Sequence, residues 1–309
     1  MTGHAVRGLS PARPPGPKRG DRASSPPFAE GTLAILGGGN MGLALVRGIL
    51  TVAPEIAPHL VVSSREAGSL RERIRGLDVR VAETNLEAVK GAQLVVLAVK
   101  PQILPSVLAQ VKDALAPGTT VVSIAAGVPT TVLEEGLGPG IGVVRAMPNV
   151  AASVQASATA IARGKTTRPV DLERARSLLS TVGMVVEVDE ELMDAVTGLS
   201  GTGPLYLFLI LEGLSDAGVK VGLSRATSTE LAIQTLVGAA QLVRATGEHP
   251  AKLRDLVTSP GGTAITALHS LEKSGLKAML LDAVEAATKR SQELGAKWRP
   301  RPPGELPGH

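Results

Sequence analysis

The chain has 309 residues, of which 44% are hydrophobic and 19% are charged, and its net charge is +4. This composition is typical of a globular protein with room for two domains. The absence of cysteine excludes disulfides, thiolate metal sites and cysteine nucleophiles, and so few aromatic residues exclude a nucleic-acid channel built on base stacking.

The positive charge is concentrated at the two ends of the chain. Residues 1–30 carry a charge of +3 and residues 297–309 a charge of +2, so the body is near neutral and does not indicate nucleic-acid binding. We expect both ends to be disordered tails, with a targeting peptide as the alternative for the first. The longest apolar run, PLYLFLIL, is too short to cross a bilayer. We therefore expect a cytoplasmic protein that contacts neither nucleic acid nor membrane.

Residues 31–189 alternate short Val/Ile/Leu runs with helical patterns. The runs TLAIL, LVVS, VRVA, LVVLAV, TTVVSIAAG and IGVVRAM predict parallel strands that are buried on both faces. SATAIA and MVVEV predict two more strands, which flank a helix near residues 170–181. The pattern predicts an α/β fold, with an N-terminal doubly wound Rossmann-type parallel sheet.

Residues 190–296 contain no strand pattern. Helices are predicted for residues 190–199, 204–217, 225–245, 251–257, from 259 onwards, and 276–294. Ala and Leu lie on more than one face of these helices, so some of them are expected to pack against a second subunit. The sheet is therefore followed by an all-helical C-terminal domain.

The stretch LAILGGGNMG has G-x-G-x-x-G spacing between a predicted strand and a predicted helix. This context predicts a dinucleotide site, because the glycines let a pyrophosphate approach the amides at the start of the helix. A turn that serves only tight packing is the alternative. We assign cofactor binding to the whole turn: Leu36, Gly37, Gly38, Gly39, Asn40, Met41 and Gly42.

The end of the second predicted strand discriminates between the two nicotinamide dinucleotides. An NAD site carries Asp or Glu there to accept hydrogen bonds from the ribose, whereas this sequence has Ser63, Ser64 and Arg65. Two hydroxyls and a guanidinium can hold a 2′-phosphate that a carboxylate would repel. We therefore expect NADP, the alternative being that Arg65 is only a solvated residue at a helix start.

Two further motifs follow predicted strands, at the edge where ligands bind in such sheets. AVKPQ places Ala98, Val99, Lys100 and Pro101 after the fourth strand, and AMPN places residues 147–149 after the sixth. An ordinary strand-ending turn explains each motif equally well.

No catalytic acid or metal constellation stands out in the sequence. The histidines lack ligand partners at close helical spacing, and His269 fits an ordinary helix residue better than an acid. A nicotinamide site without a catalytic acid suits hydride transfer to a substrate that brings its own electrophile, because the cofactor carries the hard chemistry.

The stretch TSPGGTAI joins two predicted helices. Ser259 fits an N-cap and Pro260 the first helical position. Gly261 and Gly262 then cost roughly 1 kcal/mol each in helix propensity. A structural helix start does not need them, whereas an anion that approaches the backbone amides does.

This stretch, with GEHPAKLRDLV before it and AVEAATKRSQEL after it, closely resembles the signature region of the pyrroline-5-carboxylate reductase family. AVTGLSGTGPLYLF resembles another family motif, as do LGGGNMG, AVKPQ and AMPN in the same order. The similarity covers residues 31–294, and the motifs of the helical region are far more specific than the glycine pattern.

The resemblance implies reduction of the C=N bond of 1-pyrroline-5-carboxylate to L-proline, the last step of proline biosynthesis, with NADPH or, in some members, NADH. Protonation makes this C=N bond an iminium, so the main contribution expected of the protein is orientation. The resemblance also implies an active site between the Rossmann domain of one subunit and the helical domain of another. The chain is thus expected to form a homodimer, or a higher homo-oligomer.

The resemblance further implies roles for single residues. Residues 31–189 become the NADP-binding domain and residues 190–296 the substrate-binding and dimerisation domain. Asn85 is expected to contact the NADP ribose, while Lys100 and Pro101 line the nicotinamide side. The substrate carboxylate is expected to bind at Ser259, Gly261, Gly262 and Thr263.

Two alternatives remain open. One is a related NADPH-dependent reductase acting on another cyclic imine, and the other is a nonenzymatic nucleotide-binding regulator that has kept the fold.

Ala264 departs from the family pattern, which usually reads Ser-Pro-Gly-Gly-x-Thr. The hydroxyl of that last Thr bonds the substrate nitrogen in the family, and Thr263 points about 100° around the helix from it. Loss of one neutral hydrogen bond costs about 1 kcal/mol, so we expect reduced but real activity.

We predict that Ala264→Thr raises kcat/KM about fivefold, which is what about 1 kcal/mol amounts to. Steady-state kinetics measures the change, and Ala264→Val, which has the same shape without the hydroxyl, is the control. No gain with Thr would mean that the nitrogen finds another partner, such as water or Thr263.

Overall fold

The computed structural model describes Phe28 and residues 31–298. Most of the two predicted tails lies outside these residues, with three exceptions. Phe28 is buried in the core, Lys297 is the C-cap of the last helix, and Trp298 packs against apolar core residues. Phe28 and Trp298 therefore depart from the predicted disorder of the tails, because tertiary contacts hold these two aromatic residues, while the predicted domain bounds stay a prediction.

Eight strands form one sheet in the order β3-β2-β1-β4-β5-β6-β7-β8 within the described residues. Their bounds are β1 Thr32–Leu36, β2 Leu60–Ser63, β3 Arg80–Ala82, β4 Ala92–Leu97, β5 Thr120–Ser123, β6 Gly142–Met147, β7 Ser157–Arg163 and β8 Gly183–Glu187. The helices between them are α1 Asn40–Val52, α2 Ala67–Arg73, α3 Asn85–Val89, α4 Leu104–Val111, α5 Thr130–Leu137 and α6 Pro169–Leu179. The doubly wound α/β prediction is confirmed.

The strands β1 to β6 are parallel, whereas β7 pairs with β6 in the antiparallel direction. The connection between β6 and β7 is short and holds only the 3-10 helix Val150–Val154. A parallel pairing needs a crossover of a dozen or more residues, so this connection forces the chain to turn back. β8 then pairs parallel with β7 after α6.

Two core clusters cover the two faces of the sheet. Along β1, Leu33 and Ile35 enter the first cluster, while Ala34 and Leu36 enter the second. All four side chains are fully buried, which is why the strand reads as a continuous apolar run. The sheet is thus a rigid middle layer whose carboxyl-terminal edge can hold a ligand.

One buried carboxylate fixes α6 against β5. Burial raises the pKa of Asp171, but hydrogen bonds from the side chains of Arg168 and Thr120 outweigh burial and leave that pKa below its usual value. The same contact raises the pKa of Arg168. The Asp171 carboxylate therefore stays ionised and caps the first turn of α6.

The chain after β8 is helical throughout the described residues. A 3-10 turn (Glu190–Leu192), the short α7 (Met193–Val196) and a π-helical turn (Thr197–Gly201) lead into the long helices. These are α8 Gly203–Lys220, α9 Arg225–Thr246, α10 Pro250–Val257, α11 Thr263–Lys273 and α12 Leu276–Ala296. The predicted all-helical second half is confirmed, although its first predicted helix is a series of three short turns.

The helical half exposes much apolar surface. Leu205, Phe208 and Leu209 of α8 are 55–61% exposed, and Leu231 of α9 and Leu281 of α12 are similarly uncovered. By length and composition alone, the segment 190–220 could also cross a membrane. Core helices of soluble proteins have the same length and composition. The expectation of no membrane contact stays a prediction.

The helix in the Ser-Pro-Gly-Gly stretch begins three residues later than the sequence predicted. Its N-cap is Gly262 and its first residue is Thr263, not Ser259 and Pro260. Residues 259–262 form a β-turn in which the amide of Gly262 donates to the carbonyl of Ser259 at 3.0 Å. Gly261 follows Pro260 in this turn and has a φ of +68°, a backbone conformation that favours glycine. The turn itself thus needs Gly261.

The glycine-rich turn between β1 and α1 is held by two close backbone approaches. Gly37 has a φ of +120°, and a Cβ there would lie 2.3 Å from the carbonyl oxygen of Ala98. A Cβ at Gly42 would lie 2.0 Å from the carbonyl oxygen of Gly37. At Gly39 nothing lies within 4 Å of that position. Two glycines therefore serve packing, and the third leaves open space.

We predict that Gly42→Ala lowers the free energy of unfolding by about 1–3 kcal/mol, because the new methyl group clashes with backbone. The matched variant Gly39→Ala should change it by less than about 1 kcal/mol, since only an N-cap preference is altered. Urea unfolding measures both. Equal stability of the two variants would show that α1 can shift away from Gly37 without cost.

Candidate functional site

The predicted cofactor residues of the sheet meet at one edge. β2, β1 and β4 are neighbours, and their carboxyl ends are joined by backbone hydrogen bonds. The amide of Gly37 donates to the carbonyl of Ser63 at 2.9 Å, and the amide of Ala98 donates to the carbonyl of Leu36 at 2.8 Å. Three segments that are distant in sequence therefore form one rigid rim.

The amino terminus of α1 lies open at this rim. Its N-cap, Gly39, supplies no side-chain hydrogen bond, and the first turn contains no acidic residue. Gly39 and Asn40 are exposed, and Met41 is half-buried. Unpaired amides and the positive end of the helix dipole together form a site for an anion.

The three residues after β2 differ in their availability. Ser63 is buried, and its hydroxyl donates to Oδ1 of Asn85 at 2.7 Å. Ser64 is half-buried and Arg65 is exposed, so both can reach a ligand. In this structure the hydroxyl of Ser63 orients Asn85 instead.

Asn85 and the residues after β4 close the other side of the rim. Asn85 begins α3, and its Nδ2 donates to Oε1 of Gln110 at 2.8 Å. Ala98 and Val99 are half-buried, and Lys100 is exposed just before a short 3-10 helix that starts at Pro101. The side chain of Asn85 is thus held on both sides by protein partners.

The Ser-Pro-Gly-Gly turn forms a second open helix start in the helical half. Ser259, Gly261 and Thr263 are exposed, and Gly262 is half-buried. α11 has neither a side-chain cap nor an acidic residue in its first turn. Within the described residues, the hydrogen bonds of this turn run only to itself and to α11. Its first amides are therefore available to an anion, as at α1.

The motif after β6 joins the sheet to the helical half. The Nδ2 of Asn149 donates to the carbonyl of Ser200 at 3.1 Å, and its Oδ1 accepts from the amide of Ala151. A Cβ at Gly201 would lie 2.5 Å from Met147. Asn149 is buried. The structure thus gives this motif a role in packing against the π-helical turn.

A buried ionic network, which the sequence did not reveal, lies at the same junction. Arg145 of β6 is 6% exposed, and its guanidinium lies 3.4 Å from Glu190 and 3.8 Å from Asp194. The amide of Thr130 donates to Glu190, and the hydroxyl of Ser291 donates to Asp194. Ion pairs and hydrogen bonds thereby link β6, the 3-10 turn Glu190–Leu192, α7 and α12.

Arg73 is a second residue that the sequence did not single out. Its guanidinium donates to the carbonyl of Gly38 at 2.9 Å and to Oδ1 of Asn40 at 3.1 Å. The helix α2 thus reaches the glycine-rich turn directly. A run of basic residues between 65 and 75 was the only signal in the sequence.

Among residues 31–298 and Phe28, no group of three or more His, Asp or Glu side chains is placed to hold a metal ion. His249 caps α10, because its Nδ1 accepts from the amide of Ala251 at 3.2 Å.

Two family models match the chain. Residues 190–294 match the model for pyrroline-5-carboxylate reductase dimerisation, and residues 32–127 match a model described as NADP oxidoreductase, coenzyme F420-dependent. The two matches fall on the two halves that the structure distinguishes.

Similar proteins cover the same region. Pyrroline-5-carboxylate reductases of Methanosarcina acetivorans and Synechocystis are 43% and 44% identical, over 86% of this chain and 98% of each relative. A solved pyrroline-5-carboxylate reductase from Coxiella burnetii has a TM-score of 0.80 at 35% identity, over 85% of this chain and 98% of its own. A Plasmodium falciparum pyrroline carboxylate reductase with NADP bound has a TM-score of 0.78 at 32% identity, over 86% and 99%. The chain belongs to the pyrroline-5-carboxylate reductase family.

Proposed function

We propose that this protein reduces 1-pyrroline-5-carboxylate to L-proline with NADPH. The observation that carries the proposal is the presence in one chain of two open helix starts, one on the glycine-rich rim and one at the Ser-Pro-Gly-Gly turn. Each offers unpaired amides to an anion. A phosphorylated cofactor needs one such site, and a substrate carboxylate needs the other.

The residues of the rim fit a dinucleotide. The space beside Gly39 admits a pyrophosphate, which the first amides of α1 would bind. Ser64 and Arg65 would hold a 2′-phosphate. No carboxylate lies between the end of β2 and Glu66. Asn85, fixed by Ser63 and Gln110, would present its amide to the ribose. NADPH is the preferred reductant in this proposal, and NADH is the second candidate.

The chain needs no catalytic acid for this reaction. NADPH supplies the hydride, and the substrate enters as a protonated imine that is already electrophilic. The turn at Ser259, Gly261, Gly262 and Thr263 would bind the carboxylate through the first amides of α11 and so fix the ring. Lys100 and Pro101 would line the nicotinamide side. The protein acts mainly by holding two reactants in a reactive geometry.

A second copy of the chain would complete the site. The Ser-Pro-Gly-Gly turn faces solvent, and apolar residues of α8 and α9 line an open groove with Val150 and Val154. Exposed apolar surface of this extent marks a protein interface or a membrane site. The family model for residues 190–294 is one of dimerisation. A homodimer, or a higher homo-oligomer built from it, is therefore the arrangement we propose, and the cytoplasmic location stays a prediction from the sequence.

Two other functions compete with this one. Ala264, in place of the usual Thr, favours a reductase that acts on another cyclic imine. A nonenzymatic regulator would bind the dinucleotide without turnover.

One experiment separates the three functions. NADPH and NADH oxidation is followed with purified protein in the presence of 1-pyrroline-5-carboxylate, and separately with other cyclic imines. Turnover of 1-pyrroline-5-carboxylate, faster with NADPH, is expected. Turnover of other imines alone would support the first alternative, and cofactor binding without any turnover the second.

We predict that two inactive variants restore activity when they are combined. Gly39→Asp should block the pyrophosphate while suiting the N-cap position, and Gly261→Val should disrupt the second turn, because a β-branched residue disfavours a φ of +68°. A site shared between subunits leaves one intact site in each mixed dimer. Random pairing should then restore about a quarter of wild-type activity.

The mixture is refolded or coexpressed, and each variant alone is the control. Recovery should follow the formation of mixed dimers in native mass spectrometry. Mixed dimers without any activity would mean that each site is formed within one chain.

A further inference from the structure

Arg73 reaches the glycine-rich turn from α2. One terminal nitrogen donates to the carbonyl of Gly38 in the turn, and the other donates to Oδ1 of Asn40, the first residue of α1. Arg71, two residues earlier on the same helix, instead pairs with Glu83. Within the described residues Arg73 has no carboxylate partner, so its charge is held beside the turn by neutral oxygens.

The position of Gly38 locates this guanidinium relative to the segment after β2. A Cβ at Gly38 would lie 3.2 Å from the Cβ of Ser64 and 2.8 Å from Leu70. Gly38 therefore packs directly against the segment that carries Ser64 and Arg65. A guanidinium on the Gly38 carbonyl lies close to the residues to which a 2′-phosphate is assigned.

The guanidinium of Arg73 lies beside the amino end of a helix, where a bound anion would be a stronger partner than the neutral oxygens it now contacts. Asn40 is the first residue of α1, and the amino end of a helix repels a cation. The first turn of α1 holds no acidic residue that would offset this repulsion. Charged hydrogen bonds to phosphate are about twice as strong as neutral ones. A 2′-phosphate held by Ser64 and Arg65, beside Gly38, would therefore give the guanidinium a charged partner in place of neutral oxygens.

We propose that Arg73 is a specificity-determining residue that binds the 2′-phosphate of NADP together with Ser64 and Arg65. The inference rests on the proposed use of NADPH. The side chain of Arg73 is exposed, so its guanidinium can exchange the neutral oxygens for the phosphate. Arg73 follows Arg65 by eight residues, so only the packing of α2 against the turn brings the two together.

Arg73→Gln tests the proposal, with Arg71→Gln as the matched control on the same helix. The dissociation constants of NADP⁺ and NAD⁺ are measured by calorimetry on the full chain. We expect Arg73→Gln to weaken NADP⁺ binding about tenfold, the value of a charged hydrogen bond at an exposed site, and NAD⁺ binding less than about twofold. Arg71→Gln should leave both constants unchanged.

Two small probes isolate the phosphate. Adenosine 2′,5′-bisphosphate should lose affinity for Arg73→Gln, whereas adenosine 5′-monophosphate should not. Arg73→Lys keeps the charge and should recover part of the affinity, with a stronger dependence on salt. Far-UV circular dichroism and thermal unfolding check that all variants are folded.

The outcomes distinguish this inference from the proposed function. Equal losses for NADP⁺ and NAD⁺ would assign Arg73 to holding the turn and overturn its role in specificity. Unchanged binding of NADP⁺ by Arg73→Gln would overturn the inference while the proposed function stands. Wild-type protein that binds neither dinucleotide would overturn both.

Discussion

The arrangement of the two halves depends on one buried charge. Arg145 lies within the sheet at 6% exposure, where a guanidinium must be paired. Its partners, Glu190 and Asp194, lie in the first helical turns after the last strand, and Ser291 of α12 completes the network. Removing Glu190 or Asp194 would leave this buried cation with one carboxylate partner fewer, which destabilises the junction. The helical half is therefore anchored to the carboxyl end of β6, beside the edge at which the ligand would bind.

Both functional turns share a departure from the usual helix start. α1 and α11 begin on glycine without a side-chain cap, where Ser, Thr, Asp or Asn would add about a few tenths of a kcal/mol of stability and would bond one of the free amides. The starts of α1 and α11 are therefore less stable than capped ones would be, and their first amides remain available to anions. The second start lies on an exposed turn, surrounded by a helical half with much apolar surface. A single chain holds the parts of a site rather than a closed one.

The sequence predicted the sheet and the glycine-rich turn because continuous apolar runs and glycine spacing are local signals. The start of α11 was misplaced because Ser259-Pro260 fits a helix start as well as it fits a turn, and only the φ of Gly261 decides between them. The role of Ser63 at the ligand stays a prediction, whereas its hydrogen bond to Asn85, which is 22 residues away in the chain, had no signal in the sequence. The burial of Phe28 likewise depends on tertiary packing. The direction of β7 depends on the length of the connection between β6 and β7. Such contacts have no local pattern.

Trp298 makes the junction between the halves observable. It is the only tryptophan of the chain, and it follows α12, where its amide donates to the carbonyl of Gly295. Its ring packs against the second core cluster of the sheet, while Gly295 approaches Gly127 closely. Excitation at about 295 nm selects the indole ring. The fluorescence of Trp298 would therefore report on this one contact between the apolar core and the last helix. The emission wavelength of the protein therefore indicates whether α12 is packed against the sheet.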